Sequence, residues 1–277
     1  MKLPTETVAQ CPCGNVASTL VRKFTFWSPL ELRRCNACGL LMVSPRLTED
    51  AMHYVFSETY FDPLTPEVWG KRRHRIFGEV LEILQKRGVK TVFDVGAAFG
   101  HFVRFARQSG LTAVGSDLSD NAVKIAHGLG VELYSGRLAE LRIPAHSFDS
   151  VVSLDTFYYT PDPKTELEAI RSILKPGGTL VLRLRNCRTT NIPSQHLWGF
   201  TPDSITALLD RHGWSVEEVL PAAYSASVAE PVHAMFVGVN KILRKASQRV
   251  PILTHSFHIV ARPQNSPKSL GPSIARL

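Results

Sequence analysis

Two acidic residues end or nearly end short apolar runs in the middle of the chain. Asp94 lies in the run 91–95, and Asp117 closes the run 112–117 about twenty residues later. The loop after the first run contains four small residues, Gly96, Ala97, Ala98 and Gly100. Glycine permits sharp turns and a close approach of the backbone to a ligand. This layout predicts a nucleotide-type site at the carboxyl ends of two parallel strands, where Asp117 accepts hydrogen bonds from ribose hydroxyls.

The composition of the loop favours a cationic ligand over a dinucleotide. Ala98 occupies the middle glycine position of a G-x-G-x-x-G loop, and its Cβ would crowd a pyrophosphate. Asp94 would bring a carboxylate close to phosphate charge, whereas it suits a ligand that carries positive charge. S-adenosylmethionine has a sulfonium, an ammonium and a ribose but no phosphate, so we predict it as the cofactor. A nicotinamide-dependent oxidoreductase is the less favoured alternative.

Further motifs continue the pattern toward the carboxyl terminus. They are the stretch 147–155, the pair Asp162-Pro163, and the turn Lys175-Pro-Gly177-Gly178 before another apolar run. With the glycine loop, these segments resemble class I S-adenosylmethionine-dependent methyltransferases across residues 75–220. The resemblance implies an α/β fold with a Rossmann-like seven-stranded sheet, in which six strands are parallel and the last is antiparallel. The chain departs from the family at Ala98, where glycine is usual, and at Phe99, where a small residue is frequent.

The resemblance also implies roles for individual cofactor residues. Asp94 holds the methionine ammonium, directly or through water, and Asp117 binds the ribose. The other expected cofactor contacts are Gly96, Ala97, Ala98 and Gly100 in the loop, Leu118, Arg137 and Leu138 around the adenine, and Ser153 and Asp155 at the end of the fourth strand.

The acceptor side is less defined by the sequence. Methyl transfer requires a positioned acceptor and exclusion of water, with a base only where a proton must be removed. Tyr159 stands where the family often has a histidine, and the chain also resembles a bacterial subgroup of the family in which the loop that contains His196 overhangs the acceptor pocket. We expect both to face the transferable methyl, with His196 as candidate base. A purely structural loop histidine is the alternative.

The resemblance implies methylation of a small-molecule acceptor such as a sugar, polyketide or other secondary metabolite, on oxygen or carbon. A non-catalytic module that uses its cofactor site and N-terminal segment for binding is an alternative from a different class.

Four cysteines near the N-terminus have the composition of a metal site. Cys11 and Cys13 form one pair and Cys35 and Cys38 the other, and each pair is followed by glycine. Four thiolates suit tetrahedral zinc, although the C-x-C spacing of the first pair is short. The segment resembles the zinc-ribbon extension of a bacterial methyltransferase subgroup. We predict structural zinc, and the alternative is a ribbon held by packing with reduced cysteines.

The order of apolar runs predicts the architecture. Strands are expected at 91–95, 112–117, 131–135, 149–154, 179–185, 214–219 and 255–262, and helices at 70–86, 100–109, 119–128, 163–174 and 203–212. Such alternation indicates a parallel sheet with crossover helices. The predicted units are a zinc-ribbon-like segment over 1–45, a linker or lid over 46–70, the methyltransferase domain over 71–263 and a disordered basic tail over 264–277.

Composition and charge narrow the partners. The chain has 277 residues, 44% of them hydrophobic, and a net charge of +8. Seven Lys or Arg against one Glu follow Pro221, so the rest of the chain is nearly neutral, which disfavours a nucleic-acid substrate. No apolar run reaches the length of a membrane span and the N-terminus has no apolar leader, so we expect a cytoplasmic protein. An amphipathic pattern over 231–249 predicts a helix packed on the sheet or on a dimer partner, or else a peripheral membrane contact.

Overall fold

The computed structural model describes residues 2–58, 66–188, 192–193, 195–222 and 254–264. The predicted helix over 231–249 and the predicted tail after Gln264 lie outside these ranges. Within the described ranges, no helix is both long enough and apolar enough to cross a bilayer.

The N-terminal segment forms two small antiparallel sheets. β1 (Thr5–Glu6) pairs with β5 (Arg46–Leu47) in one of them. The other is built on the hairpin of β2 (Ser18–Phe26) and β3 (Ser28–Cys35), to which β4 (Leu41–Val43) is added. Two helices follow, α1 (Glu49–Glu58) and α2 (Pro66–Lys86). The sequence predicted α2 from position 70, but it described the region of α1 only as a linker or lid.

The remaining elements form an α/β domain. Its strands are β6 (Thr91–Val95), β7 (Thr112–Asp117), β8 (Leu133–Ser135), β9 (Phe148–Leu154), β10 (Leu174–Arg185), the short β11 (Trp198–Gly199), β12 (Trp214–Pro221) and β13 (Ser256–Pro263). Its helices are α3 (His101–Gln108), α4 (Asp120–Gly128), α5 (Pro163–Ile173) and α6 (Pro202–Arg211).

Seven of these strands form the central sheet in the order β12-β13-β10-β9-β6-β7-β8. β13 lies between β10 and β12 and is antiparallel to both, whereas the other neighbouring pairs are parallel. The predicted sheet with six parallel strands and an antiparallel last strand is therefore confirmed. The central strands read as continuous apolar runs because helices cover both faces of a parallel sheet.

Local signals explain where the helices begin. The Asp162 side chain accepts a hydrogen bond from the amide of Lys164, and Pro163 occupies the first turn of α5. Thr201 and Ser204 form a reciprocal capping box at the start of α6. β10 begins at Leu174, earlier than predicted, because the strand runs through the glycine turn with a register irregularity before Thr179.

The N-terminal segment and the α/β domain share one hydrophobic core. β11 pairs with β4. It therefore extends the sheet of β2, β3 and β4 with a strand from the C-terminal half of the chain. Cys11 and Cys35 are buried in the same apolar cluster as Trp198 and Trp214. The packing therefore continues across the predicted boundary at residue 45.

Candidate active site

A cavity opens at the carboxyl ends of the central strands. Nine predicted site residues line it, namely Gly96, Ala98, Asp117, Leu118, Arg137, Leu138, Ser153, Asp155 and Tyr159. Asp94, near the end of β6, and Ala97 and Gly100, in the loop that follows, are buried behind its surface, next to Val95 and Gly96, which do line it. The structure thus brings the carboxyl ends of β6, β7, β8 and β9 together around one cavity, as the sequence predicts.

The glycine loop is constrained by its surroundings. Gly96 has φ 73°, and a Cβ there would lie 2.2 Å from Cγ2 of Thr156, so no other residue fits without rearrangement. The amides of Gly96 and Ala97 both donate to the carbonyl oxygen of Ser116, at 2.8 and 2.9 Å. Ala98 has φ 50°, the left-handed conformation that glycine adopts freely. The glycine that is usual in the family at this position would adopt this conformation at little cost. In this chain Ala98 adopts it instead.

Asp117 connects this loop to β7. One carboxylate oxygen accepts from the amide of Ala98 at 2.7 Å, and the other accepts from the amide of Ser119 at 2.9 Å. Burial raises the pKa of Asp117, and these amide hydrogen bonds oppose the rise. Each carboxylate oxygen can accept a second hydrogen bond, so the group that fixes the loop can also bind a ribose.

Asp94 is a buried carboxylate whose burial is not fully offset by hydrogen bonds or by opposite charge. Its side chain is 3% exposed, and its Oδ1 has no hydrogen-bond partner among the described residues. Burial raises its pKa to about 7, against the opposing charge of Arg73 and with a smaller contribution from Asp117. The hydroxyl of Ser153, near the end of β9, is likewise buried and has no hydrogen-bond partner in the part of the chain that the structure describes. Such groups are costly in an empty site and favour a ligand that brings positive charge and hydrogen-bond donors.

Asp155 lines the cavity, and its carboxylate also pairs with two arginines. The backbone of Asp155 has φ 63°. Its carboxylate forms ion pairs with Arg73 at 2.5 Å and with Arg183. Burial alone would raise the pKa of Asp155, but the two guanidinium charges outweigh it and hold the pKa below its usual value. The carboxylate is therefore engaged in fixing two arginines, one of which, Arg73, lines the cavity.

The structure corrects the expected position of His196. The side chain is 3% exposed, stacks on the ring of Tyr158 at 3.7 Å and does not line the cavity. Burial, with a smaller contribution from Arg185, lowers its pKa to about 3. Tyr159 does reach the cavity, where its ring meets Phe56 edge-on at 4.9 Å. The sequence around a loop histidine does not indicate whether the side chain is enclosed or exposed. The burial of His196 therefore could not be predicted from the sequence.

The family now follows from direct comparison. The methyltransferase domain family matches residues 68–219, more than half of the chain. The chain belongs to the class I S-adenosylmethionine-dependent methyltransferases. A ubiquinone biosynthesis O-methyltransferase of Idiomarina loihiensis is 28% identical over 127 residues, which are 41% of this chain and 51% of the relative. One of Dinoroseobacter shibae is 26% identical over 146 residues, 44% of this chain and 58% of the relative. The chain spans about half the length of these curated relatives.

Solved structures agree on the fold. The Burkholderia thailandensis 1,6-didemethyltoxoflavin-N1-methyltransferase, solved with S-adenosylhomocysteine, has a TM-score of 0.57 at 16% identity, and covers 88% of this chain and 100% of its own. A putative methyltransferase complexed with the Haloferax volcanii Trm112 activator has a TM-score of 0.53 at 21% identity, and covers 72% of this chain and 96% of its own.

The methyltransferase also carries a compact cysteine cluster. The Sγ atoms of Cys11, Cys13, Cys35 and Cys38 all lie within 4.8 Å of one another. The Cys11–Cys38 and Cys13–Cys35 separations are both 3.6 Å, too long for disulfides. Tetrahedral coordination with Zn–S bonds of about 2.3 Å places sulfurs about 3.8 Å apart. The donor set and its spacing therefore fit zinc, even with the short C-x-C pair.

The sequence predicts a linker or lid over 46–70 but does not identify the individual residues of one wall of the cavity. Glu6, Arg46, Glu49, Met52, Phe56 and Arg73 reach it from the N-terminal segment, α1 and α2. Glu166 reaches it from α5, and burial raises the pKa of this carboxyl to about 7, against the charge of Arg137. These residues share no spacing that marks a site, because they are brought together only by tertiary packing.

Proposed function

We propose that this methyltransferase transfers the methyl group of S-adenosylmethionine to a small organic acceptor. The observation that carries the proposal is the buried Asp94 carboxylate next to the Gly96 loop, whose Oδ1 has no hydrogen-bond partner within the described ranges. A ligand with an ammonium and a sulfonium supplies positive charge that would pair with this carboxylate. A dinucleotide would instead add phosphate charge to a region that already contains Asp94 and Asp117.

The chain's own residues would bind and orient the cofactor. Asp94 would accept from the ammonium, directly or through water, and Asp117 would accept from the ribose hydroxyls. Leu118 and Leu138 offer apolar surface for the base, beside Arg137. Bound in this way, the cofactor supplies an activated methyl carbon, and the protein contributes position and exclusion of water.

The acceptor side favours a flat, carbon-rich molecule over a sugar. Met52, Phe56, Tyr159 and Leu197 supply apolar and aromatic surface there. The name of the relatives, ubiquinone biosynthesis O-methyltransferase, supports oxygen as the atom methylated. A phenol or enol suits the site because it ionises more readily than a sugar hydroxyl, which reduces the need for a protein base.

Proton removal, where it is needed, would fall to a group that faces the cavity. His196 is buried, does not line the cavity and has a pKa of about 3, which makes it a weak base. Glu166 faces the cavity with a pKa of about 7, in the range where a carboxylate accepts a proton effectively at neutral pH.

We further propose that Cys11, Cys13, Cys35 and Cys38 hold one structural zinc ion. A metal with four thiolate ligands has no open position for substrate, so the ion would stabilise the N-terminal segment and take no part in methyl transfer. Zinc analysis of untagged protein tests this, with one equivalent per chain expected and none expected after Cys35→Ser.

Calorimetry and product analysis together test the proposed function. S-adenosylmethionine and S-adenosylhomocysteine should bind the full chain, while NAD should not bind at comparable concentration. A methyl-labelled cofactor with a panel of phenolic acceptors should yield a methylated product by mass spectrometry. Tight cofactor binding with no transfer to any acceptor would favour a non-catalytic module, and preference for NAD would reject the cofactor assignment.

A further inference from the structure

Arg46 is a buried arginine at the acceptor side of the cavity that the cofactor does not explain. It is 9% exposed, and it lines the cavity together with Glu6, Thr160, Pro161 and Leu197. It comes from β5 of the N-terminal segment, outside the part of the chain that matches the methyltransferase family. We propose that Arg46 binds a carboxylate of the acceptor and makes the N-terminal segment part of the acceptor site. The inference rests on the proposed methyl transfer, because it assigns the substrate class of the same cavity.

The guanidinium of Arg46 is held in a fixed orientation. Its Nε donates to Oε1 of Glu6 at 2.8 Å, its Nη1 donates to the carbonyl oxygen of Pro161 at 3.1 Å, and its Cζ lies 5.5 Å from the ring centre of Trp198. Trp198 is itself held, because its Nε1 donates to the carbonyl oxygen of Thr160 at 2.7 Å. An arginine fixed in this way has already lost most of its side-chain entropy before a ligand binds.

The donors that remain match a planar anion. Nη2 of Arg46 has no hydrogen-bond partner among the described residues, and Nη1 has an N–H beyond the one given to Pro161. Adjacent N–H groups of a guanidinium form parallel hydrogen bonds with a carboxylate. Glu6 is the only acid in ion-pair contact with Arg46 within the described chain, and its side chain is 44% exposed, so water screens its charge.

The carboxylate would be a recognition group rather than the atom methylated. Gly96 and Ser153 line the cavity where the reactive part of the cofactor would lie, with Asp94 buried behind Gly96. Arg46 instead contacts Pro161, at the far end of the segment that follows β9. Apolar side chains, including Phe56 and Tyr159, line the cavity as well. This arrangement suits a flat body with an acidic group at one end and the methyl-accepting oxygen at the other.

The experiment compares two probes that differ only in charge. The full chain, saturated with S-adenosylhomocysteine, is titrated with 3,4-dihydroxybenzoate and with 3,4-dihydroxybenzamide, and binding is followed by calorimetry. The wild type should bind the acid about ten- to a hundredfold more tightly than the amide, the range expected for a charge-assisted pair. Arg46→Gln should abolish that preference, and Arg46→Lys should retain part of it because Lys keeps the charge without the fork.

Arg22→Gln provides a matched control. Arg22 belongs to the same N-terminal segment, on β2 of its other sheet, donates to the carbonyl oxygen of Ile192 at 2.9 Å and lies 5.3 Å from the ring of Phe24, but it does not line the cavity. Its substitution should leave the acid preference unchanged. Glu6→Gln should tighten binding of the acid several-fold, since it removes a neighbouring negative charge and keeps an acceptor for Nε.

The outcomes separate this inference from the proposed function. Equal binding of acid and amide, absence of binding by either, or an acid preference that survives Arg46→Gln would overturn the assignment of Arg46. If Arg46→Gln lowers only the unfolding temperature, the Arg46–Glu6 pair is structural and the inference is also overturned. Failure of the wild type to bind S-adenosylhomocysteine would instead reject the proposed function.

Discussion

At the scale of single residues, Asp94 should couple cofactor binding to pH. Its pKa is about 7 in the ligand-free protein, and a cationic ligand favours the ionised carboxylate. Binding below pH 7 should therefore release a proton. Affinity for S-adenosylmethionine should rise with pH by up to about tenfold per unit below pH 7 and level off above it. Asp94→Asn should bind more weakly and lose this dependence.

Calorimetry in buffers with different ionisation enthalpies measures the released proton directly. Asp120→Asn is a suitable control, since Asp120 lies on the exposed first turn of α4 and does not line the cavity. An unchanged pH dependence in Asp94→Asn would contradict the role given to Asp94.

The same carboxylate should cost stability when no ligand is bound. Because the folded pKa of Asp94 is raised from 3.8 to about 7, the folded state holds the proton more tightly than the unfolded state. This tighter proton binding stabilises the folded state fully when the pH is below the pKa of Asp94 in the unfolded state. The stabilisation is lost as the pH rises through the pKa of Asp94 in the folded state. Ligand-free Asp94→Asn should thus gain stability relative to the wild type between about pH 4 and 7, and keep that gain at pH 8. Urea unfolding at several pH values measures the difference, and a constant difference would refute the linkage.

His196 should matter for packing more than for chemistry. It is stacked on Tyr158, and its Nδ1 has no partner within the described chain. His196→Phe should preserve the stacked ring, so turnover per folded molecule should stay within a few-fold of the wild type. A general base would instead be worth about 10²–10⁴ in rate. A loss of that size with unchanged cofactor affinity and normal unfolding would restore His196 as the base.

At the scale of elements, β11 links the N-terminal sheet to the acceptor wall. The amide of Val43 in β4 donates to the carbonyl of Leu197 at 3.0 Å, and the amide of Leu197 donates to the carbonyl of Tyr158, also at 3.0 Å. Trp198 completes the link through its bond to Thr160. The segment that bears Tyr159 is therefore positioned by β11, and β11 by β4.

Trp198→Phe should weaken acceptor binding more than cofactor binding. The change removes the donor to the Thr160 carbonyl and leaves a buried acceptor unsatisfied, which costs about 1–3 kcal/mol. Trp214→Phe is the control, because Trp214 is equally buried but its Nε1 has no hydrogen-bond partner in the described residues. Steady-state kinetics should show a raised KM for the acceptor in Trp198→Phe, with S-adenosylhomocysteine affinity within about twofold. Equal effects of both variants would mean that loss of indole packing, not the hydrogen bond, is responsible.

The elements also show which parts of the site could be predicted from the sequence. β6, β7 and β9 could be predicted because an apolar run, a small-residue loop and an acid are local signals, and parallel strands bring their carboxyl ends to one edge. Arg46 could not be placed beside Pro161, nor β4 beside β11, because those contacts join residues more than a hundred positions apart. The burial of His196 has the same origin, since it depends on Tyr158 and on a loop whose path is set by the N-terminal sheet.

At the scale of the whole molecule, the N-terminal segment and the α/β domain should unfold together. Cys11, Cys35 and Met42 belong to the same buried cluster as Trp198 and Trp214, so loss of the segment's structure would expose part of the domain core. Binding of a metal to the folded state alone adds its binding free energy to the stability of that whole unit. A zinc site here should therefore stabilise the domain, not merely the segment that contains the ligands.

Cys35→Ser tests this coupling. One calorimetric transition is expected in the wild type, and the variant should unfold at a lower temperature, again in one transition, because the cluster is shared. Acceptor affinity should fall along with stability, since β4 positions β11 and Arg46, while S-adenosylhomocysteine affinity changes little because Asp94 and Asp117 lie on strands of the central sheet. Cys187→Ser, at a half-buried cysteine outside the cluster, should leave zinc content, unfolding temperature and acceptor affinity unchanged. Two separate transitions in the wild type, with only the first shifted by Cys35→Ser, would instead show that the metal stabilises an independent ribbon and that the acceptor wall does not depend on it.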